Sequence, residues 1–226
     1  MTSWRFPLVL AGAFLLPLST GSAAMESTEG QSHSCCGPIT GAGERLSARL
    51  DEMHVETLWL AGQHVNWKTG EPDSEAGTDE TADHSHCSVF AAATAMRLSV
   101  YLLRPPEHGQ VLLANAQAEW LESENGRQAG WSAVSDMRQA QRLANEGKLV
   151  LAVYENPDKH VPGHIAIVRS SKRSLATLNN DGPELIQAGE HNYNRVNARV
   201  GFEHHPGAFP DGIRYYAHAI PAGTRK

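Results

Sequence analysis

Val161-Pro162-Gly163-His164-Ile165-Ala166-Ile167-Val168 lies in the part of the chain beyond Gly147, where the pattern becomes strand-like. Pro162-Gly163 is turn chemistry, and His164–Val168 behind it has the length and apolar make-up of a strand. Three similar runs accompany it: Leu149–Val153, Glu184–Gln187 after the turn Asp181-Gly182-Pro183, and the Tyr-rich Ile213–Ile220. Upstream of Gly147 the period is helical. Leu46, Leu50, Met53 and Leu58 recur along one side of the segment Glu44–Leu60, which predicts an amphipathic helix. Cys87–Leu103 is dominated by Ala, Val, Leu and Met and runs up to Pro105-Pro106. It predicts a buried helix with Cys87 in the first turn and Asp83 or Ser85 as cap. Shorter helices are predicted over Val111–Leu121 and Ser135–Asn145, the second ended by Gly147. Helices first and strands later predict an α+β domain with segregated layers.

The 226 residues are 41% hydrophobic and 19% charged, a globular balance that excludes a disordered or collagen-like chain. Lys and Arg number 19 against 25 Asp and Glu, a net charge of -6, and no basic run occurs. That excludes non-specific nucleic-acid binding, which needs concentrated positive charge. Arg5, the apolar run Phe6–Leu18 and the small residues Gly21–Ala24 have the parts of a secretory signal peptide. The apolar run is shorter than the ~20 residues of a spanning helix. The expected organisation is therefore a signal peptide over 1–24, a flexible, polar, Gly-rich leader over 25–43, and one domain over 44–226. An exported protein, periplasmic or secreted, with no membrane span after cleavage is expected.

Three cysteines in an exported chain leave one thiol over. Cys35 and Cys36 are adjacent, and the tight geometry of a disulfide argues against their bridging each other. The remaining thiol is then either a disulfide partner, Cys35 or Cys36 bridged to Cys87, or a reactive centre. The flanking sequence His84-Ser85-His86-Cys87-Ser88-Val89-Phe90 favours reactivity. A cysteine at a helix start meets the positive end of the macrodipole and the free N–H groups of the first turn, which favour thiolate and can hold an oxyanion. A small buried hydrophobe on an Ala-rich helix is the plain alternative. His164, opening an apolar strand whose later residues anchor the backbone, is rigidly mounted for a general base.

Cys87 at the head of a buried helix, followed downstream by Gly163-His164-Ile165-Ala166-Ile167-Val168 on a strand, resembles the papain-like cysteine hydrolases of the NlpC/P60 and CHAP type. Those families cut peptide or amide bonds in bacterial cell walls. The resemblance spans the order of elements from about Ala82 to Gln187 and is sharp at Cys87 and His164. It implies a papain-like fold, a helical layer with the nucleophile helix packed on a C-terminal antiparallel sheet. It also implies Cys87 as nucleophile, His164 as base, a peptidoglycan peptide or other amide as substrate, and no cofactor. A third polar group from the next strand orients the imidazole in these families. Alternation puts Leu185 and Gln187 on one face, which makes Gln187 the candidate, with Asn192 as rival. The Glu-then-Asn pair of the CHAP pattern is absent. The resemblance offers Trp67 for the acceptor side of the cleft, although plain packing is the stronger reading for it; His86 or His84, close to Cys87 in sequence, is expected to support the centre or to face substrate. Trp120 and Trp131 are expected in the core, Asn115 and Gln117 on a solvated helix surface.

Two other functions compete. His84 and His86 beside Cys87, with His160, His164, His191, His204 and His205, offer zinc-ligand chemistry without any standard ligand spacing. A catalytically silent binding module on the same fold is the other.

Overall fold

A computed structural model describes residues 1–4, 34–73 and 85–223. The chain divides into two units, Met1–Gln31 and Ser32–Lys226, and all described helices and strands lie in the second. Of the first, residues 1–4 are described, without regular secondary structure; the rest of the expected signal peptide lies outside the described residues. The expected leader is described from Ser34 onward, and there it is tied to the domain. The Cys35 N–H donates to the Arg173 carbonyl at 3.0 Å and the Thr40 N–H to the Asn145 carbonyl at 2.9 Å.

Thr40 caps α1 (Gly41–Asp51), its hydroxyl accepting the Gly43 N–H at 3.2 Å. Gly43 serves close packing: a Cβ there would stand 2.3 Å from the Asn145 carbonyl oxygen. The helix starts earlier than Glu44 and ends well before Leu60, where the chain turns through left-handed residues at His54 (φ 52) and Trp59 (φ 53). Helix α2 (Cys87–Arg97) buries Ala91, Ala92, Ala93 and Ala95 completely, so small side chains let it lie close against the sheet. It stops short of Leu103 because Ser99 adopts φ 59. The Ser99 N–H returns to Met96 (3.0 Å) and the Val100 N–H to Ala95 (2.8 Å), a Schellman closure without glycine.

Then follow α3 (Leu113–Glu122), α4 (Glu124–Gln128), β1 (Ser132–Val134) and α5 (Met137–Asn145). Next come β2 (Leu149–Tyr154), β3 (His164–Val168), α6 (Leu175–Asp181), β4 (Glu184–Gln187), β5 (Tyr193–Asn197), α7 (Ala198–Gly201) and β6 (Arg214–His218). The six strands form one sheet in the order β1-β6-β2-β3-β4-β5, with every neighbouring pair antiparallel.

β2 and β3 are buried at every position, so both faces of the sheet need cover. Leu149, Leu151, Val153, Ile165, Ile167 and Ile186 point into one core, shared with α1, α2 and α3. Val150, Ala152, Tyr154, Ala166, Val168 and Leu185 point into the other, with α5, Ala198 and Phe202. The mixed α+β class is as expected from the sequence. The single helical layer is corrected: helices cover both faces, because a continuous apolar strand cannot leave one side to water.

The expectation that Cys35 and Cys36 do not bridge each other is also corrected. Cys35 and Cys36 bridge each other and Cys87 is a free thiol. The pair sits in a turn closed by the Ser34 hydroxyl donating to the Gly37 carbonyl at 3.1 Å, while Cys87 is held on α2. Among the described residues no helix is long and apolar enough to cross a membrane.

Candidate active site

Cys87 is the first residue of α2 and is 4% exposed. Asp83, one expected cap, lies outside the described residues; His86 holds the cap position and no side chain caps the helix. The His86 Nε2 instead lies 2.7 Å from the Gln63 carbonyl, which ties the helix start to the upstream loop. The Cys87 sulfur has as neighbours the N–H groups of Ile165, Ser88 and Cys87 itself and the hydroxyl of Ser85. Each favours the thiolate, yet burial outweighs them and pushes the thiol above its ordinary value.

His164 opens β3, paired across the ladder with Tyr154, and is 2% exposed. It shares the sheet face of Ala166 and Val168, whereas Ile165, whose N–H favours the Cys87 thiolate, points to the side of α2. Its Nε2 lies 3.1 Å from the Gln187 Oε1. An amide oxygen can only accept, so Nε2 carries the proton and Nδ1 is left with its lone pair. The Gln187 amide is held in turn by its Nε2 donating to the His191 carbonyl at 3.4 Å. The Phe202 ring meets the imidazole edge-on at 4.8 Å, and the His205 ring stacks on it at 4.9 Å and 15°. Buried in this way, His164 has its pKa lowered to about 4, and His205 is lowered to about 4 by burial and by the neighbouring imidazoles.

The structure therefore brings His164 to Gln187, and the sulfur to the peptide that follows His164. Among the described residues no hydrogen bond joins sulfur and imidazole, and the ring's partner is Gln187. Asn192 is engaged elsewhere. Its Nδ2 donates to the carbonyls of Val55 (2.7 Å) and Leu58 (2.8 Å), and its Oδ1 accepts the Gly189 N–H at 3.0 Å. Trp67 lines a separate groove with Met96, Arg104 and Pro105, away from the thiol, and packs partly against the core.

Asn115 and Gln117 correct their expectation: both are buried, at 5% and 0% exposure. Gln117 donates to the Ser88 and Leu103 carbonyls at 3.0 and 2.9 Å, which steadies the first turn of α2. Phe202 and His205, the rings that clasp His164, were missed as a clamp; their turn carries no strand or helix period to point them inward. Trp131 is core, as expected, and Trp120 packs partly against it. Among the described residues no group of three or more His, Cys, Asp or Glu is placed to hold a metal ion, and His84 lies outside them. Comparison with protein-family models finds no match, and comparison with curated proteins finds no similar sequence.

Proposed function

We propose that this chain is an exported thiol hydrolase of peptide or amide bonds, papain-like in its arrangement, acting on peptidoglycan peptides. The observation that carries the proposal is a free thiol at the first residue of helix α2, where the N–H groups of Ile165, Ser88 and Cys87 favour the thiolate, together with a histidine at the head of β3 whose tautomer Gln187 fixes. Such donors stabilise negative charge on the sulfur and then on the carbonyl oxygen. Nδ1 is bonded to Cγ, so it is the ring nitrogen nearer the His164 backbone, and the N–H that follows, that of Ile165, favours the Cys87 thiolate. Catalysis requires Nδ1 to reach the sulfur in the substrate complex, where hydrogen bonds that are long in the free enzyme tighten.

The sulfur attacks the carbonyl carbon as His164 takes its proton. The C–N bond then breaks, and His164 returns that proton to the departing amine. Water, deprotonated by His164, attacks the thioester carbon; the C–S bond breaks, the acyl group leaves as the carboxylic acid, and His164 returns the proton to the Cys87 sulfur. No cofactor enters these steps.

Digestion of purified sacculi by the wild type and by Cys87→Ala, with products read by mass spectrometry, tests the proposal. Soluble peptide fragments released by the wild type alone support it; identical digests overturn it. One observation favours a silent binding module instead, the missing sulfur–imidazole hydrogen bond, and sacculus binding without cleavage would select that alternative.

A further inference from the structure

A cavity of about 230 Å³ opens beside Cys87. Its walls are the first turn of α2, the segment Gln110–Ala114 that starts α3, and the loop residues His160, Pro162 and Gly163 ahead of the catalytic histidine. The described lining residues include no Asp, Glu, Lys or Arg, and Val89, Val111, Leu112, Leu113, Ala114 and Pro162 make it mostly apolar. Its volume is below the roughly 300–1,000 Å³ of pockets that hold whole ligands, so it fits one substituent of a substrate.

Outside residues 1–4, the exposed large hydrophobic side chains of the described chain are Val111, Val161 and Leu175. Val111 lines the cavity, and Val161 stands between its lining residues His160 and Pro162. Isolated exposed valines are ordinary, but two at one mouth form an apolar rim. The walls are latched together: the Asn115 Nδ2 donates to the Val161 carbonyl at 2.9 Å while its Oδ1 accepts the Asn156 N–H at 3.2 Å. A pocket held open in this way costs the substrate little reorganisation on binding.

We infer that this cavity is a substrate subsite of the enzyme, and that it selects a neutral apolar side chain or short alkyl chain near the carbonyl attacked by Cys87. The inference rests on the thiol-hydrolase proposal and narrows its substrate: a carboxylate-bearing substituent finds no cation among the described lining residues.

The test uses N-alkyl iodoacetamides from methyl to hexyl, with alkylation of Cys87 in the full chain followed by mass spectrometry. Each rate is divided by the same protein's rate with the methyl reagent. In the wild type each added methylene raises the ratio by about fourfold when fully buried, and the rise levels off once the cavity is filled. In Val111→Asp, a change at an exposed position, the gain per methylene falls below about half that size, and the urea-unfolded wild type shows none. A ratio that stays near one along the series in the folded wild type overturns the subsite, whatever the sacculus digestion shows. A rising ratio in a protein without Cys87-dependent turnover keeps the apolar site and overturns the hydrolase proposal instead.

Discussion

At the scale of single residues, the centre is governed by burial working against charge. Removal from water lowers His164 to a pKa of about 4 and raises the Cys87 thiol, so both groups are neutral at pH 7. A neutral imidazole is a competent base, and activity should hold from pH 7 down to about pH 5 and fall as the pH approaches 4. Gln187→Glu places a carboxylate against the ring, which favours imidazolium; the acid limb of the pH–rate profile should then move up by about one unit or more. An unmoved limb would mean that Gln187 does not govern the base. The same shift links to stability. The unfolded chain protonates this histidine below about pH 6.5 and the folded chain only near 4, so its stabilisation is complete above 6.5 and is lost between those values. That amounts to about 3 kcal/mol at most, and half-buried His205 adds in the same direction. Thermal melts should fall over this window in the wild type and fall less in His164→Gln. Gln187 was legible in the sequence because strand alternation fixes its face. That no hydrogen bond joins sulfur and imidazole was not legible, because the face on which the first residue of a strand lands depends on which helix packs where.

At the scale of elements, β2, β3, β4 and β6 and the start of the cysteine helix were readable, whereas β1, β5 and the helix ends were not. β3 and β4 have the ends that the turn residues Pro162-Gly163 and Asp181-Gly182-Pro183 prescribe. Helix ends were misjudged where a non-glycine residue takes the left-handed conformation, as at His54 and Ser99, since nothing in those side chains announces it. β5 was missed because Tyr193–Asn197 is half exposed and lacks an apolar run. The joint before β3 is tightly built: a Cβ at Gly163 would lie 2.2 Å from the Tyr154 carbonyl oxygen and 2.5 Å from the Asn115 Oδ1. Gly163→Ala should therefore destabilise the fold by about 2 kcal/mol, through forced backbone movement, seen as a lower denaturant midpoint. Asn192→Ala frees the carbonyls of Val55 and Leu58 and should cost about 1–3 kcal/mol without moving the pH–rate profile. A shifted profile would restore Asn192 as a partner of His164.

At the scale of the whole molecule, composition and periodicity gave the class, whereas the double-sided sheet and the cysteine pairing came from packing. The run Leu149–Tyr154 is apolar throughout, and only the assembled layers show that α5 and α7 take its second face. With Cys35 and Cys36 bridged, thiol titration of the unreduced protein in denaturant should find one reactive thiol per chain, at Cys87, and three after reduction. Two sheet faces also meet at the candidate centre, the sulfur on one side and the imidazole directed to the other, and the enzyme exists only if the two cooperate. The rate of Cys87 alkylation by iodoacetamide, followed from pH 5 to 10 in the wild type and in His164→Ala, measures that cooperation. In the wild type the rate should stay high through neutral pH, and in His164→Ala it should drop at least tenfold at pH 7 and rise only as the buried thiol itself ionises above pH 9. Superimposable profiles would mean that the histidine never serves the cysteine, and the proposed chemistry would fail.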